Sequence, residues 1–178
     1  HEPRRGGARA PAGERRRQVL RSLESCIAHD CQLIVNDYWQ EAISVGADFV
    51  HLGQEDLEAA DVSTIKAAGV KIGISTHSEE ELEIALAAEP DYVALGPIYE
   101  TTLKVMKWQP QGLDRLASWR QRVGELPLVG IGGLTPERAS GAIAAGADSV
   151  AVITDFFTHA DPELRVREWV AWSNAIGR

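Results

Sequence analysis

The sequence predicts an α/β fold of parallel strands alternating with helices, and three observations support this prediction. Short runs rich in Val and Ile recur at 32–36, 49–52, 71–74, 92–95, 128–131 and 149–153. Near-continuous apolar runs of this length are typical of strands buried on both faces of a parallel sheet. Longer helical segments separate the runs. One unit also repeats, as GADFVHLG at 46–53, EPDYVALG at 89–96 and GADSVAVI at 146–153.

Signals for helix ends support this alternation in chain order. The helices are expected at 14–29, 38–45, 61–68, 78–88, 111–123, 135–145 and 162–175. Gly46, Gly69 and Gly146 follow three of them, and glycine adopts the left-handed conformation that closes a helix. Ser78 with a glutamate three residues later forms a potential capping box, and Thr135 precedes a proline at the first helical position.

A (β/α) barrel of the TIM type is the architecture that these units favour. The unit is similar throughout, and polar residues follow the carboxyl end of each predicted strand. In such a barrel these ends meet on one face, where the active site lies. Only six strands are recognisable in the sequence, whereas a closed barrel has eight, so we expect the barrel class without full closure of the barrel.

Composition and charge limit the functions that the chain can have. A length of 178 residues fits one domain, and 44% hydrophobic with 25% charged residues is typical of a globular protein. The net charge of -8 disfavours general nucleic-acid binding. No apolar stretch approaches the length of a membrane span, and no signal peptide is recognisable. Cys26 and Cys31 are interpreted as reduced thiols, and the cytoplasm is the expected compartment.

The charge is divided unevenly between a basic beginning and an acidic remainder. Residues 1–21 carry a net +5, and residues 22–178 carry a net -13. We expect 1–13, which is rich in Arg, Gly and Ala, to be a disordered tail, and 14–178 to be the barrel domain. A basic arm that contacts nucleic acid is the alternative interpretation of the tail.

Two carboxylates, Asp37 and Asp56, follow neighbouring predicted strands. Together they can hold a Mg²⁺ ion, which binds one or two carboxylates plus water and substrate phosphates. The alternative is that both residues are helix N-caps, a common use of aspartate. Two interpretations also exist for residues 75–78. A hydroxyl before a helix is usually only an N-cap, whereas His77 in the same segment can serve as an acid or base in catalysis.

Three later segments favour a phosphate ligand. The loop that contains Thr101, Thr102 and Lys104 offers hydroxyls and a positive charge. The turns at 132–133 and 153–154 follow the last two strands, which is where barrels bind phosphate through backbone N–H groups. Their joint placement predicts a phosphate site.

Six segments, in this order, resemble the thiamine-phosphate synthase family. They are LIVNDYWQEAISVGADFVHLGQEDL, GISTHS, LGPIYETTLK, PQGL, GIGGLTPE and AAGADSVAVIT, within about 26–160. The resemblance implies a (β/α) barrel that couples hydroxymethylpyrimidine diphosphate to a thiazole phosphate, releases pyrophosphate and needs Mg²⁺. These substrates are small molecules, and a homo-oligomer is compatible with the family.

The resemblance also implies roles for individual residues. Asp37 and Asp56 match the Mg²⁺ ligands, while Asn36 and Ser75 match positions that contact the pyrimidine substrate. Lys104 matches the lysine that holds the diphosphate, and Lys104 and Ser75 are the expected catalytic residues. The positions expected to bind the thiazole phosphate are Thr101, Thr102, Gly133, Ile153 and Thr154.

The beginning of the chain departs from the family. Members begin with two strands, and the second carries a Gln-Leu-Arg-x-Lys motif. This motif is not recognisable here, and residues 1–13 resemble no segment of the family. The resemblance therefore implies a TIM-type barrel that lacks its first two strands. Two alternatives to the synthase therefore stay open: a chain that binds a phosphate ligand without catalysis, and a thiazole tautomerase with the same fold. The pair Asp37 and Asp56 favours the synthase, because isomerising a monophosphate needs no clamp for a diphosphate and a metal.

Overall fold

The computed structural model describes residues 10–101 and 108–177, which fall into two compact units. The first unit ends at Gly73 and the second begins at Ile74. The boundary lies within strand β3 (Lys71–Thr76), so each unit contains half of that strand. Expectations for Thr102, Lys104 and 1–9 lie outside the described residues.

The first unit alternates helices and parallel strands. Its elements are α1 (Ala12–Ala28), β1 (Val35–Asn36), α2 (Trp39–Val45), β2 (Phe49–Leu52), α3 (Gln54–Ala59), α4 (Val62–Ala67) and the beginning of β3. β1 and β2 are parallel, with Asn36 in register with His51. α1 packs on α2, where Arg15 Nε donates to Glu41 Oε1 at 2.7 Å.

The second unit continues the alternation from the end of β3. Its further elements are α5 (Glu79–Ala87), β4 (Tyr92–Leu95), α6 (Gly112–Val123), β5 (Leu128–Ile131), α7 (Pro136–Ala144), β6 (Ser149–Ala151), α8 (Thr154–Phe157) and α9 (Pro162–Ala175). Strand order follows the chain from β3 to β6, and β4–β5 and β5–β6 are parallel pairs. The carboxyl ends of these strands therefore share one edge.

Each unit has an apolar core formed by strand residues and by the inner faces of its helices. In the first unit Val50, Leu52 and Ile65 are fully buried. In the second, the completely buried set includes Leu82, Val93, Leu95, Leu116, Trp119 and Leu128. Successive residues are buried in β4 and in most of β3, as expected for a strand covered on both faces. In β2 and β5 buried and half-buried residues alternate, and β6 has no buried residue, so the continuous apolar runs there are covered less completely than the sequence predicts.

The predicted alternation is confirmed, with differences at particular elements. Strand β1 has only two residues, whereas the sequence predicts 32–36, and α3 was not predicted. Ala12 and Gly13, assigned by the sequence to the tail, belong to α1. The predicted caps are correct, since Ser78 accepts from the Glu81 N–H and Thr135 from the Arg138 N–H. Both cysteines are free thiols, as predicted.

Among the described residues, no helix combines the length and the apolar character needed to cross a membrane.

Candidate active site

The second unit contains a cavity of about 250 Å³ at the carboxyl end of its strands. Five residues singled out by the sequence line it: Ser75, Thr101, Gly133, Ile153 and Thr154. Ser75 lies near the end of β3, and the others follow β4, β5 and β6 in turn. Residues that are distant in the chain thus meet because parallel strands end at one edge.

The turn after β5 can be formed only by glycine. Gly132 and Gly133 both have positive φ, +97° and +64°. A Cβ at Gly132 would lie 2.7 Å from Pro97 Cα, and one at Gly133 would overlap the Glu100 carbonyl oxygen. The loop after β4 therefore lies directly against this turn, an approach that a larger residue would block.

Backbone hydrogen bonds hold the loop after β4 in this position. The N–H of Ile98 donates to the Ile131 carbonyl at 2.9 Å, and the N–H of Tyr99 donates to the Gly132 carbonyl at 3.1 Å. On the other side, the N–H of Gln111 donates to the Pro97 carbonyl at 2.7 Å. One wall of the cavity is consequently fixed through main-chain contacts.

We expect Gly133→Ala to lower the free energy of unfolding by about 2–4 kcal/mol, from the positive φ and the overlap with the loop. Gly46→Ala is the matched control, since Gly46 has φ +77° but nothing within 4 Å of an added Cβ. The control isolates the conformational cost, about 1 kcal/mol. Urea denaturation of both variants gives the comparison. Equal losses in the two variants would show that the loop does not constrain Gly133.

Ser75 is positioned by its buried neighbour Thr76. The Thr76 side chain is fully buried, and its Oγ1 donates to the Ala94 carbonyl at 3.0 Å. The same oxygen accepts from Trp119 Nε1 at 3.1 Å. Since both hydrogen-bonding roles of the hydroxyl are used, the end of β3 is tied to β4 and to α6.

His77 also lines the cavity, and its ring is held on two sides. Its Nδ1 lies 2.7 Å from Glu81 Oε2, which also accepts the His77 backbone N–H at 2.7 Å. The Trp108 ring stacks on the imidazole, with centroids 5.8 Å apart and planes within 7°. The sequence had indicated Glu81 only as part of a capping box, so its role in orienting His77 is an addition from the structure.

A charged cluster adjoins the turn after β6. Asp155 lines the cavity, and Arg165 of α9 donates from Nε to its Oδ2 at 2.7 Å and from Nη2 to its Oδ1 at 3.1 Å. Trp169 Nε1 donates to the same Oδ2 at 2.7 Å. Burial acts to raise the pKa of Asp155, but these hydrogen bonds outweigh it and lower the pKa. No local sequence pattern signals this cluster, because its members come from two helices.

The first unit carries the two predicted carboxylates at the carboxyl ends of β1 and β2. Asp37 follows β1 directly, and its N–H donates to the His51 carbonyl of β2 at 2.9 Å. Asp56 lies in α3 after β2, and its Oδ2 would be 3.8 Å from a Cβ at Gly53. Since β1 and β2 are parallel neighbours, both aspartates lie at the same edge of this unit.

The interpretation of these aspartates as N-caps is wrong. The N-caps of α2 and α3 are Tyr38 and Gly53, and neither makes a side-chain capping bond. Asp37 adopts φ +66°, in the left-handed region, where aspartate is enriched among the residues other than glycine. Asp30 and Glu89 also have positive φ, so this conformation does not by itself distinguish Asp37 as a functional residue.

A neutral histidine lies between the two aspartates in the chain. His51 of β2 is half-buried, and burial lowers its pKa to about 4. The imidazole is therefore uncharged at neutral pH. Asn36, in register with His51, is exposed at the end of β1.

The carboxylates of Asp37 and Asp56 are the ligand type that this edge offers to a metal ion. Across 10–101 and 108–177, no three His, Cys, Asp or Glu side chains are grouped as a metal site. Mg²⁺ is commonly bound by one or two carboxylates with water and substrate phosphates, whereas structural zinc needs four protein ligands.

Most of the chain is similar to known thiamine-phosphate synthases. The model of the family described as thiamine monophosphate synthase matches residues 7–156, and thus begins within the segment that the sequence had assigned to the tail. A thiamine-phosphate synthase of Rhizobium etli is 59% identical over 88% of this chain and 76% of its own length. One from Neisseria meningitidis serogroup A is 42% identical over 89% of this chain and 77% of its own.

A solved structure gives the same result for the fold. Thiamine phosphate pyrophosphorylase from Pyrococcus furiosus matches with a TM-score of 0.80 and 25% identity, covering 96% of this chain and 82% of that one. This similarity confirms the predicted α/β fold class of the barrel type.

Proposed function

This chain belongs to the thiamine monophosphate synthase family, and we propose that it couples hydroxymethylpyrimidine diphosphate to thiazole phosphate, releasing pyrophosphate, through the cavity described above. The chain is thus a transferase of thiamine biosynthesis. The observation that carries the assignment of the site is that Ser75, Thr101, Gly133, Ile153 and Thr154 line one cavity. The reduced cysteines are compatible with a cytoplasmic enzyme.

The synthase is favoured over the two alternatives. The relatives at 59% and 42% identity are thiamine-phosphate synthases, which supports neither a tautomerase nor a non-catalytic chain.

We assign the pyrimidine diphosphate and its metal to three side chains of the first unit. The role of Ser75 toward the pyrimidine rests on the family resemblance. Asp37 and Asp56 would hold Mg²⁺, and Asn36 would contact the pyrimidine. The placement of both carboxylates at one edge of the first unit supports this assignment. When bound, Mg²⁺ neutralises charge that develops on the departing pyrophosphate.

We assign the thiazole phosphate to the turns after β5 and β6 and to Thr101. Gly133 brings a backbone with no side chain into the cavity, and Thr154 adds a hydroxyl. Backbone N–H groups and hydroxyls are the usual donors to phosphate oxygens. By the family resemblance alone, Thr102 would also contact the thiazole phosphate. On the same basis, the positive charge of Lys104 would hold the diphosphate of the other substrate.

The coupling reaction requires mainly that the two substrates be positioned and that the charge of the leaving pyrophosphate be neutralised. Departure of pyrophosphate leaves a cation on the pyrimidine methylene, which the ring amine stabilises, and the thiazole nitrogen then attacks that carbon. Little proton transfer is needed. The chain contributes by orienting the two substrates and by stabilising charge at the leaving group.

The proposal predicts equal amounts of thiamine phosphate and pyrophosphate when both substrates and Mg²⁺ are supplied. We expect Ser75→Ala to lower kcat/KM by roughly 10- to 100-fold, because it removes a hydroxyl beside the bound pyrimidine. Coupled pyrophosphate detection and chromatography of the product measure both quantities.

Ser78→Ala is the control for this variant. Ser78 caps α5 three positions away, so its loss lowers stability by about 1 kcal/mol and leaves kcat/KM within a few-fold of the parent. The assignment of the cavity is refuted if Ser75→Ala is as active as Ser78→Ala. Failure of the unaltered protein to release pyrophosphate would overturn the proposed function itself.

A further inference from the structure

An acidic residue borders the cavity in which the proposed function requires a phosphate to bind. Asp155 directly follows Thr154 and lines the same cavity. Like charges repel strongly at short range where water is partly excluded, so an uncompensated carboxylate here would oppose a phosphate. Some feature of the chain must therefore cancel the charge of Asp155 or turn it away.

Arg165 provides both effects. Its guanidinium contacts both carboxylate oxygens, with Nε to Oδ2 at 2.7 Å and Nη2 to Oδ1 at 3.1 Å. The indole N–H of Trp169 supplies a third donor at 2.7 Å to Oδ2. The side chains of Arg165 and Asp155 are only 16% and 13% exposed, so solvent screens the pair weakly. Paired donors of this kind fix the orientation of a carboxylate as well as its charge.

A second arginine on the same helix forms an exposed ion pair, which provides a comparison for the buried pair of Arg165 and Asp155. Arg167 also lies on α9 and pairs with Glu163 at 3.4 Å, but these side chains are 75% and 86% exposed. Exposed pairs contribute little. Arg165 has a further partner in Glu168, at 2.6 Å, whose side chain is 44% exposed. The buried contacts of Arg165 are thus directed at Asp155.

We propose that Arg165 is a positioning residue for the thiazole phosphate, which neutralises Asp155 and orients the turn at 153–154 from outside the cavity. The inference rests on the proposed function, because that turn is assigned there to the phosphate. Arg165 does not line the cavity. It acts through Asp155, and the chemical class that it favours is a phosphate monoester.

The test compares KM values for the two substrates in Arg165→Gln. We expect KM for the thiazole phosphate to rise roughly 10- to 100-fold, because an unpaired carboxylate then faces the phosphate. KM for the pyrimidine diphosphate should stay within about threefold. At high ionic strength, the KM of the variant for the thiazole phosphate should come closer to the KM of the parent. Salt screens the repulsion between Asp155 and the phosphate, whereas it does not repair a misfolded protein. Arg167→Gln is the matched control and should match the parent.

The double variant Asp155→Asn with Arg165→Gln separates charge from structure. Removing both charges should return KM for the thiazole phosphate to within about threefold of the parent. A double variant as defective as Arg165→Gln would overturn the inference. If Arg165→Gln does not fold, Asp155→Asn alone decides. Arg165 then keeps Glu168 as its acidic partner and no carboxylate borders the cavity at position 155, so KM for the thiazole phosphate should stay level or fall. A tenfold rise would overturn the inference.

Calorimetric titration of the thiazole phosphate distinguishes this inference from the proposed function. If the unaltered protein binds it and Arg165→Gln binds it equally well, the inference fails and the proposed function stands. If the unaltered protein neither binds it nor releases pyrophosphate, the proposed function fails, and the inference with it.

Discussion

We expect Asp56→Asn to lower kcat/KM for coupling by roughly 100- to 1,000-fold. The substitution keeps the size and shape of the side chain and removes the charge that the proposed Mg²⁺ site needs. Fewer anionic ligands weaken metal binding, so the Mg²⁺ concentration for half-maximal rate should rise about tenfold or more. A magnesium titration of pyrophosphate release gives both values.

Glu58→Gln is the matched control for this loss. Glu58 lies on the same short helix, α3, and its side chain is exposed. Its substitution removes the same formal charge near the site, and we expect kcat/KM to stay within about twofold. An unchanged magnesium dependence in Asp56→Asn would contradict the assignment of Asp56 as a ligand.

Trp119→Ala is expected to cause the largest loss of stability, about 3–5 kcal/mol in the free energy of unfolding. The Trp119 side chain is completely buried in α6, so its removal leaves a cavity that neighbouring residues cannot fill. The substitution also takes a donor away from Thr76 and a ring from Arg115, whose guanidinium carbon lies 4.6 Å from the ring centroid. Denaturant unfolding followed by circular dichroism measures the loss.

Trp119→Phe divides this effect into its parts. Phenylalanine keeps much of the apolar volume and loses the indole N–H, so we expect a loss of about 1–2 kcal/mol. Both variants remove the hydrogen bond from Trp119 to Thr76, which lies between the cavity residues Ser75 and His77. We therefore expect both to raise KM for the pyrimidine diphosphate more than substitutions of exposed residues do. If the free energy of unfolding of Trp119→Ala is within 1 kcal/mol of that of the parent, the described packing of α6 is incorrect.

The order of strands and helices was predictable from the sequence because the signals for it are local. Apolar runs mark the strands, and residues such as Ser78 and Thr135 mark helix starts through bonds to backbone only three residues away. The lengths of elements were less accessible. The run at 32–36 is apolar, but only Val35–Asn36 pair as a strand, because pairing depends on the neighbouring strand as well as on composition.

A site residue was predictable from the sequence only where its residue type indicates one structural or chemical role. Gly132 and Gly133 are identifiable as a turn, yet the loop that lies against them comes from 97–100 and is distant in the chain. Asp37 was open to two interpretations, and the N-cap interpretation is excluded because the N-cap of α2 is Tyr38. Arg165 gave no signal, because its partner Asp155 is ten residues away and lies on another helix.

The contacts between the loop after β4 and the turn after β5 have a thermodynamic consequence for ligand binding. The N–H groups of Ile98 and Tyr99 are already paired with the carbonyls of Ile131 and Gly132. The backbone of this wall therefore loses its conformational entropy when the protein folds, before any ligand arrives. A phosphate that enters the cavity meets a preorganised wall and does not incur that ordering cost, so more of its contact energy contributes to affinity.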